Sequence, residues 1–251
     1  MKIIAITQAR AGSTRLPGKV LKMIGQQTLL EIHIERISKS ETISQLIVAT
    51  TVKPEDKLIF DMVSDMGIRV FRGSENDVLD RFYQAVKDEA ADYIVRLTSD
   101  CPLIDAKLID KVVRYTIEND LDYCTNTLLT KYPDGQDVEV FKFSALEAAW
   151  QKGQLKSERE HVTPYIRNNS TFCGGTLFKS SNFSEGFDYG DLRMTVDEPQ
   201  DFTLIKNLIN SLGAQRDWQD YAVYMNTHPE ISNINAYIIR NEGLLKSIKN
   251  D

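Results

Sequence analysis

The 251-residue sequence predicts an α/β fold, a three-layer α/β/α arrangement around a mostly parallel sheet. Two observations carry the prediction. Short apolar runs alternate through the first half with segments whose apolar residues recur at helical spacing, which implies strands covered by helices on both faces. A hydrophobic content of 42% over this length suffices for one large packed domain and argues against disorder.

The elements follow in order. Strands are predicted at Ile3–Ile6, Leu46–Thr50, Arg69–Phe71 and Tyr93–Leu97. Between them, Leu30, His33, Ile34 and Ile37 share one helical face, as do Val78, Phe82, Ala85 and Val86. Ile109, Val112, Val113, Thr116 and Ile117 mark a further helix. From Tyr123 the pattern changes. Asp137-Val138-Glu139-Val140-Phe141 alternates polar and apolar residues, which reads as a half-exposed strand. Phe143–Lys152 reads as a helix, Ser157 and Glu160 as a capping box ahead of His161, and Arg193–Val196 as a late strand. An amphipathic helix carrying Ile205, Leu208, Ile209 and Leu212 follows Pro199, and the tail beyond it reads as helical. The expected division is one domain over 1–251, with halves 1–122 and 123–200 and a C-terminal helical segment 201–251.

Composition excludes several classes. The net charge of −6 disfavours a general nucleic-acid surface. No apolar run is long enough to span a bilayer and the N-terminus lacks a signal-peptide pattern, so a cytoplasmic location is the expectation. Cys101, Cys124 and Cys173 are few and widely spaced, which argues against a disulfide framework or a CxxC metal site. His33 lies on an apolar helical face and reads as core.

The stretch Gln8-Ala9-Arg10-Ala11-Gly12-Ser13-Thr14-Arg15-Leu16-Pro17-Gly18-Lys19 directly follows the first strand. Small residues let backbone N–H groups approach an anion, and Arg10, Arg15 and Lys19 supply opposing charge, so the loop is suited to phosphate. Five residues separate Gly12 from Gly18, and Val20 follows Lys19, so this is neither a Walker A loop nor GxGxxG. In parallel sheets ligands sit beyond the carboxyl ends of the strands. This loop and the Asp100 segment after Leu97 both belong to that edge.

Ala-Arg-x-x-Ser-Thr-Arg-Leu-Pro-Gly-Lys after a first strand resembles the nucleotide loop of the sugar cytidylyltransferases, and most closely their SpsF-like branch. Further matches are Phe71–Arg81, Asp100-Cys101-Pro102-Leu103-Ile104-Asp105, Tyr132–Phe141 and Arg159–Tyr165. The resemblance runs to about Asp201. It implies a Rossmann-like nucleotide-diphospho-sugar transferase fold. It also implies a magnesium-dependent enzyme joining CTP to a sugar, an acidic 3-deoxy sugar above others, to give a CMP-sugar and pyrophosphate for surface polysaccharide synthesis. A homodimer is expected on the same ground.

The resemblance distributes roles as follows. Arg10 and Lys19 contact the triphosphate, and Arg15 either assists or faces solvent. Ala9, Gly12, Ser13, Arg72 and Ser99 border the nucleotide, with Ser99 standing where the family often has Gly. Asp100 and Asp197 match the two magnesium-binding aspartates; the plainer readings are an N-cap at Asp100 and a helix cap at Asp197. Asp134, Asp137 and Glu139, with Arg159 and His161, face the acceptor sugar, and Arg159 suits its carboxylate by bidentate contact. Read from the residues alone, the acidic group is equally a charged hairpin edge. The general base stays open among Asp100, Asp197 and a metal-bound water. Other readings are another base or acceptor, a glycosyltransferase using Asp120-Leu121-Asp122, and a nucleotide-binding protein without catalysis.

Overall fold

The computed structural model describes residues 1–240, 242, 247, 249 and 251. Strands β1 (Ile3–Gln8), β4 (Gln45–Thr51), β5 (Arg69–Gly73) and β6 (Tyr93–Thr98) form the parallel part of the sheet. A small hairpin, β2 (Met23–Ile24) and β3 (Gln27–Thr28), precedes helix α1 (Leu29–Ile37). Helices α2 (Lys57–Asp65), α3 (Val78–Val86) and α4 (Ala106–Glu118) follow β4, β5 and β6. The second half adds β7 (Tyr123–Thr125), β8 (Glu139–Lys142), α5 (Phe143–Lys152), α6 (Lys156–His161), α7 (Pro164–Asn168) and β9 (Ser180–Asn182). Three helices follow: α8 (Pro199–Leu212), α9 (Trp218–Thr227) and α10 (Pro229–Ser232).

The main sheet has seven strands in the order β5-β4-β1-β6-β8-β7-β9. β8 runs antiparallel to β6 and to β7, and β9 runs parallel to β7. One ladder therefore continues from the first half of the chain into the second. The strands alternate between two cores. Ile3 and Ala5 face the cluster built with α1, α2, α4, α8 and α9, while Ile4 and Ile6 face the cluster of α3, α5 and α7. An uninterrupted apolar run is what a strand buried on both faces requires, and each Ile so buried contributes roughly 1.5–3 kcal/mol. No helix among the described residues is long and apolar enough to cross a membrane.

Three local expectations are corrected. The strand expected at Asp137–Phe141 starts at Glu139 and is buried, not half-exposed, because β8 lies between β6 and β7. The cap of α6 is Glu158, whose carboxylate accepts the Leu155 N–H at 3.0 Å, and Ser157 lies inside the first turn. Arg193–Val196 makes no ladder: Met194 N–H bonds to Asp134 and Val196 N–H to Asp100, so this extended segment is shared between two partners.

Candidate functional site

Register brings the site together. Gln8 ending β1 pairs with Thr98 ending β6, so the segments that follow leave the sheet at one edge. The basic loop is closed by three bonds. Ala9 N–H donates to the Ala49 carbonyl (3.1 Å), Ala11 N–H to Asp56 Oδ1 (2.7 Å) and Gly18 N–H to the Ala11 carbonyl (3.0 Å). Asp56 is buried and also accepts from the Thr51 hydroxyl. Gly18 takes φ +64°, a left-handed conformation that glycine adopts without a Cβ penalty, and launches a single 3-10 turn at Lys19.

Lys19 then reaches across the edge. Its Nζ lies 3.1 Å from Asp100 Oδ2 and 2.8 Å from Asp197 Oδ1. The two aspartates meet because Val196 N–H (2.7 Å) and the Thr195 hydroxyl (3.2 Å) both donate to the Asp100 carbonyl. The turn after Asp100 is fixed by His33, fully buried as expected. Its Nδ1 bonds to the Cys101 carbonyl (2.8 Å) and its Nε2 to the Thr7 hydroxyl (2.9 Å). Arg15 turns inward rather than to solvent: Nη2 is 3.1 Å from Asp197 Oδ1, and Nη1 is 3.5 Å from Glu198 and 3.4 Å from Glu242.

Charge at this centre is mutually stabilised. Burial works to lower the Lys19 pKa, but Asp100 and Asp197 outweigh it and hold the ammonium above its usual range. Burial likewise opposes ionisation of Asp100, and Lys19 nevertheless holds its carboxyl far below the usual carboxylate range. Asp100 and Asp197 keep 27% and 21% of their side chains exposed, so a ligand can reach them.

The acidic group from 134 to 139 packs directly behind. Gly135 takes φ +104°, and an added Cβ would lie 2.6 Å from the Met194 carbonyl carbon, so only glycine permits this approach. Asp134 accepts from Arg193 Nη1 at 2.6 Å, and Asp137 accepts from Arg240 Nη2 at 2.7 Å. Burial and then Asp137 push Asp134 up to about 7, against Arg240 and Arg193. Burial also raises Asp137, against Arg240. Asp137 and Glu139 do not act as one surface: Glu139 is buried between the Tyr123 hydroxyl (2.8 Å) and Arg96. His161 bonds to the Ser247 hydroxyl (3.0 Å), and burial, then Arg96, lower its pKa. Arg159 is committed elsewhere. Its Nε is 3.0 Å from Asp77 Oδ2 and its Nη1 donates to the Trp150 carbonyl at 2.9 Å.

The remaining expected residues spread along the mouth. Arg10 is half-exposed with Nη1 3.5 Å from Glu75. Gly12 lies against Glu75, the nearest atom to an added Cβ at 3.7 Å. The Ser13 hydroxyl accepts the Leu16 N–H at 3.4 Å. The Ser99 hydroxyl donates to the Gln8 carbonyl at 2.6 Å, which locks the two strand exits together. Arg72 is occupied in the fold, donating to the carbonyls of Thr51 (2.9 Å) and Lys53 (3.0 Å). Asp120 and Asp122, the Asp-x-Asp of the glycosyltransferase reading, both pair with Lys142 outside this site.

Sequence reasoning gave no role to Arg193, Asp201, Arg96 or Arg240. Arg193 stands four residues before Asp197 and could have been noticed there. Arg240 is 103 positions from Asp137, and no local pattern announces their contact.

Magnesium fits the donor set. Asp100 and Asp197 offer hard carboxylate oxygens of the kind that ion takes, and the Lys19 ammonium already sits as a cation between them. No group of three or more metal-ligating side chains gathers among the described residues, so phosphate oxygens and water would complete any such site.

A model of the cytidylyltransferase family matches residues 4–229. Uncharacterized protein MJ1063 of Methanocaldococcus jannaschii is 43% identical over 95% of this chain and 96% of its own length. Spore coat polysaccharide biosynthesis protein SpsF of Bacillus subtilis is 34% identical, covering 86% of this chain and 89% of that protein. Among solved structures, a cytidylyltransferase from Leptospira borgpetersenii superposes with a TM-score of 0.86 at 34% identity, over 92% of this chain and 97% of the other. A CMP-2-keto-3-deoxy-manno-octonic acid synthetase complexed with CTP shares the fold alone, with a TM-score of 0.64 at 17% identity, over 84% and 99%. A sheet of this order, with the basic loop and two aspartates at its edge, is thus the Rossmann-like nucleotidyltransferase fold, and the chain belongs to the SpsF-like cytidylyltransferase family.

Proposed function

We propose that the protein transfers CMP from CTP to a hydroxyl of an acidic 3-deoxy sugar, releasing pyrophosphate, with magnesium as its metal. The observation that carries this reading is Lys19 Nζ held between Asp100 and Asp197 beside Arg15, at the mouth of the basic loop. Transfer of this kind needs no protein nucleophile; it needs positioning and neutralisation of charge. Lys19 and Arg10 would hold the triphosphate. The acceptor oxygen attacks the α-phosphorus in line, its proton passes to a site carboxylate or to water, and the bond to pyrophosphate breaks. Magnesium held by Asp100 and Asp197 would supply further charge neutralisation at the phosphate oxygens.

The acceptor lies on the side of Asp134 and Asp137. Arg159, the expected partner of a sugar carboxylate, pairs with Asp77, and the cations beside Asp137 and Glu139 are Arg240 and Arg96, each also paired with a carboxylate. Each keeps a buried Nε without a hydrogen-bond partner. The SpsF name suggests a place in surface polysaccharide synthesis. A homodimer working in the cytoplasm belongs to the same proposal, as does a division of labour between a nucleotide half, 1–122, and an acceptor half, 123–200.

The test combines protein, magnesium and CTP with a panel of 3-deoxy sugar acids and neutral sugars, and follows pyrophosphate. Release with an acid and not with neutral sugars is expected. A preference for UTP rejects the cytidine assignment, and CTP binding with no turnover on any acceptor points to a binding protein.

A further inference from the structure

We infer that Arg193 is a positioning residue: its buried guanidinium sets the orientation of Asp197 toward Lys19 and ties it to Asp134 on the acceptor side. The inference rests on the nucleotidyl-transfer reading and adds a role that the basic loop and the two aspartates do not contain.

The geometry is specific. Arg193 Nε donates to Asp201 Oδ1 and Nη2 to Asp201 Oδ2, both at 2.9 Å, a two-pronged contact that fixes the plane of the guanidinium. Asp201 is itself immobilised. It is fully buried and accepts the N–H groups of Asp197 (2.9 Å) and Glu198 (3.0 Å) and the Asn235 amide (2.7 Å). From this fixed plane Nη2 reaches Asp197 Oδ2 at 3.2 Å and Nη1 reaches Asp134 Oδ2 at 2.6 Å. The two oxygens of Asp197 therefore have separate tasks. Oδ2 is held from behind by Arg193, and Oδ1 is left to face Lys19 and Arg15.

Accessibility gives the arrangement direction. Arg193 faces three carboxylates, and the accessible one is Asp197, which also meets Lys19 and Arg15 and is 21% exposed against 10% and 0% for Asp134 and Asp201. A carboxylate fixed from behind and left open toward the loop is what an incoming cation requires, and it is set before the ligand arrives. A salt bridge serving stability alone would not need its third carboxylate turned toward the site. Groups that orient a metal-binding carboxylate typically affect metal affinity by about 10–100-fold when removed.

The experiment measures Mn2+ binding to the CTP-loaded protein by electron paramagnetic resonance titration, with CTP affinity in metal-free buffer and thermal unfolding recorded alongside. Two variants are compared with the parent. Arg193→Lys keeps the charge but loses the fork. The double variant R193M/D201N removes the cation and its deepest counter-charge together, so Asp201 is not left as an isolated buried charge, while Asp134 keeps Arg240 3.8 Å away. Mn2+ affinity is expected to fall at least tenfold in both, with metal-free CTP affinity within about threefold of the parent, and turnover is expected to fall in kcat more than in KM for CTP. Partial recovery at high Mn2+ in Arg193→Lys, and not in the double variant, supports orientation rather than bulk stability. Mn2+ affinity within twofold of the parent in either folded variant overturns the positioning role while leaving the nucleotide reading intact. A parent protein that binds neither CTP nor Mn2+ overturns both.

Discussion

Lys19 is a partly buried cation that two carboxylates, drawn from distant parts of the chain, keep charged. Its replacement by Ala should lower turnover by a factor of roughly 10² to 10³, the usual cost of one preorganised stabiliser of phosphate charge. Steady-state pyrophosphate release decides this, and unchanged kcat would remove Lys19 from the chemistry. Gly135 makes a second, purely structural prediction. At φ +104° against the Met194 backbone, Gly135→Ala should destabilise by roughly 1–3 kcal/mol from backbone strain alone, before any clash is counted. Calorimetric unfolding checks it; a melting temperature equal to the parent's would show that the segment carrying Asp134 relaxes freely.

At the level of elements, His33 is the tie that joins three of them. It stands on α1, accepts or donates to Thr7 on β1, and grips the turn after β6 that presents Asp100. Burial, opposed in part by the Cys101 carbonyl, lowers its pKa to about 4. The sign follows from proton counting: between about pH 6.5 and pH 4 the unfolded chain binds a proton that the folded protein refuses. His33 thus adds no penalty above pH 6.5, and stability falls as the pH drops toward 4, by on the order of 3 kcal/mol. Urea unfolding of the parent and of His33→Gln at pH 7 and pH 4.5 tests this. The variant should start less stable yet lose less on acidification, and equal losses would show that other groups carry the acid sensitivity. The parallel strands were legible as short apolar runs, and α1, α3, α4 and α8 as apolar residues at helical spacing. The hairpin β2–β3 and the short strands β7 and β9 are two or three residues long, too brief for periodicity to register.

For the whole molecule, the edge where β1 and β6 end gathers the basic loop, Asp100 and Asp197, with Asp134 and Asp137 behind them. Ligand binding there should stabilise the entire domain. At a hundredfold excess over its dissociation constant, CTP with magnesium should add about 2.7 kcal/mol, raising the melting temperature by roughly 5–10 °C, with UTP, ATP and GTP trailing. A thermal-shift series reads this directly, and equal shifts from all four would argue against a cytidine-selective pocket. What the sequence determined on its own was the alternation of buried strands with amphipathic helices, the cationic loop behind β1, and Asp100 at a strand exit, because each is written in adjacent residues. Tertiary structure alone decided that Arg159 and Arg72 are spent on the fold, that Glu139 is buried, and that Arg193, Asp201 and Arg240 stand behind the site. Those outcomes depend on which distant carboxylate or carbonyl a guanidinium meets once the sheet has closed, and a contact between remote positions leaves no periodic trace along the chain.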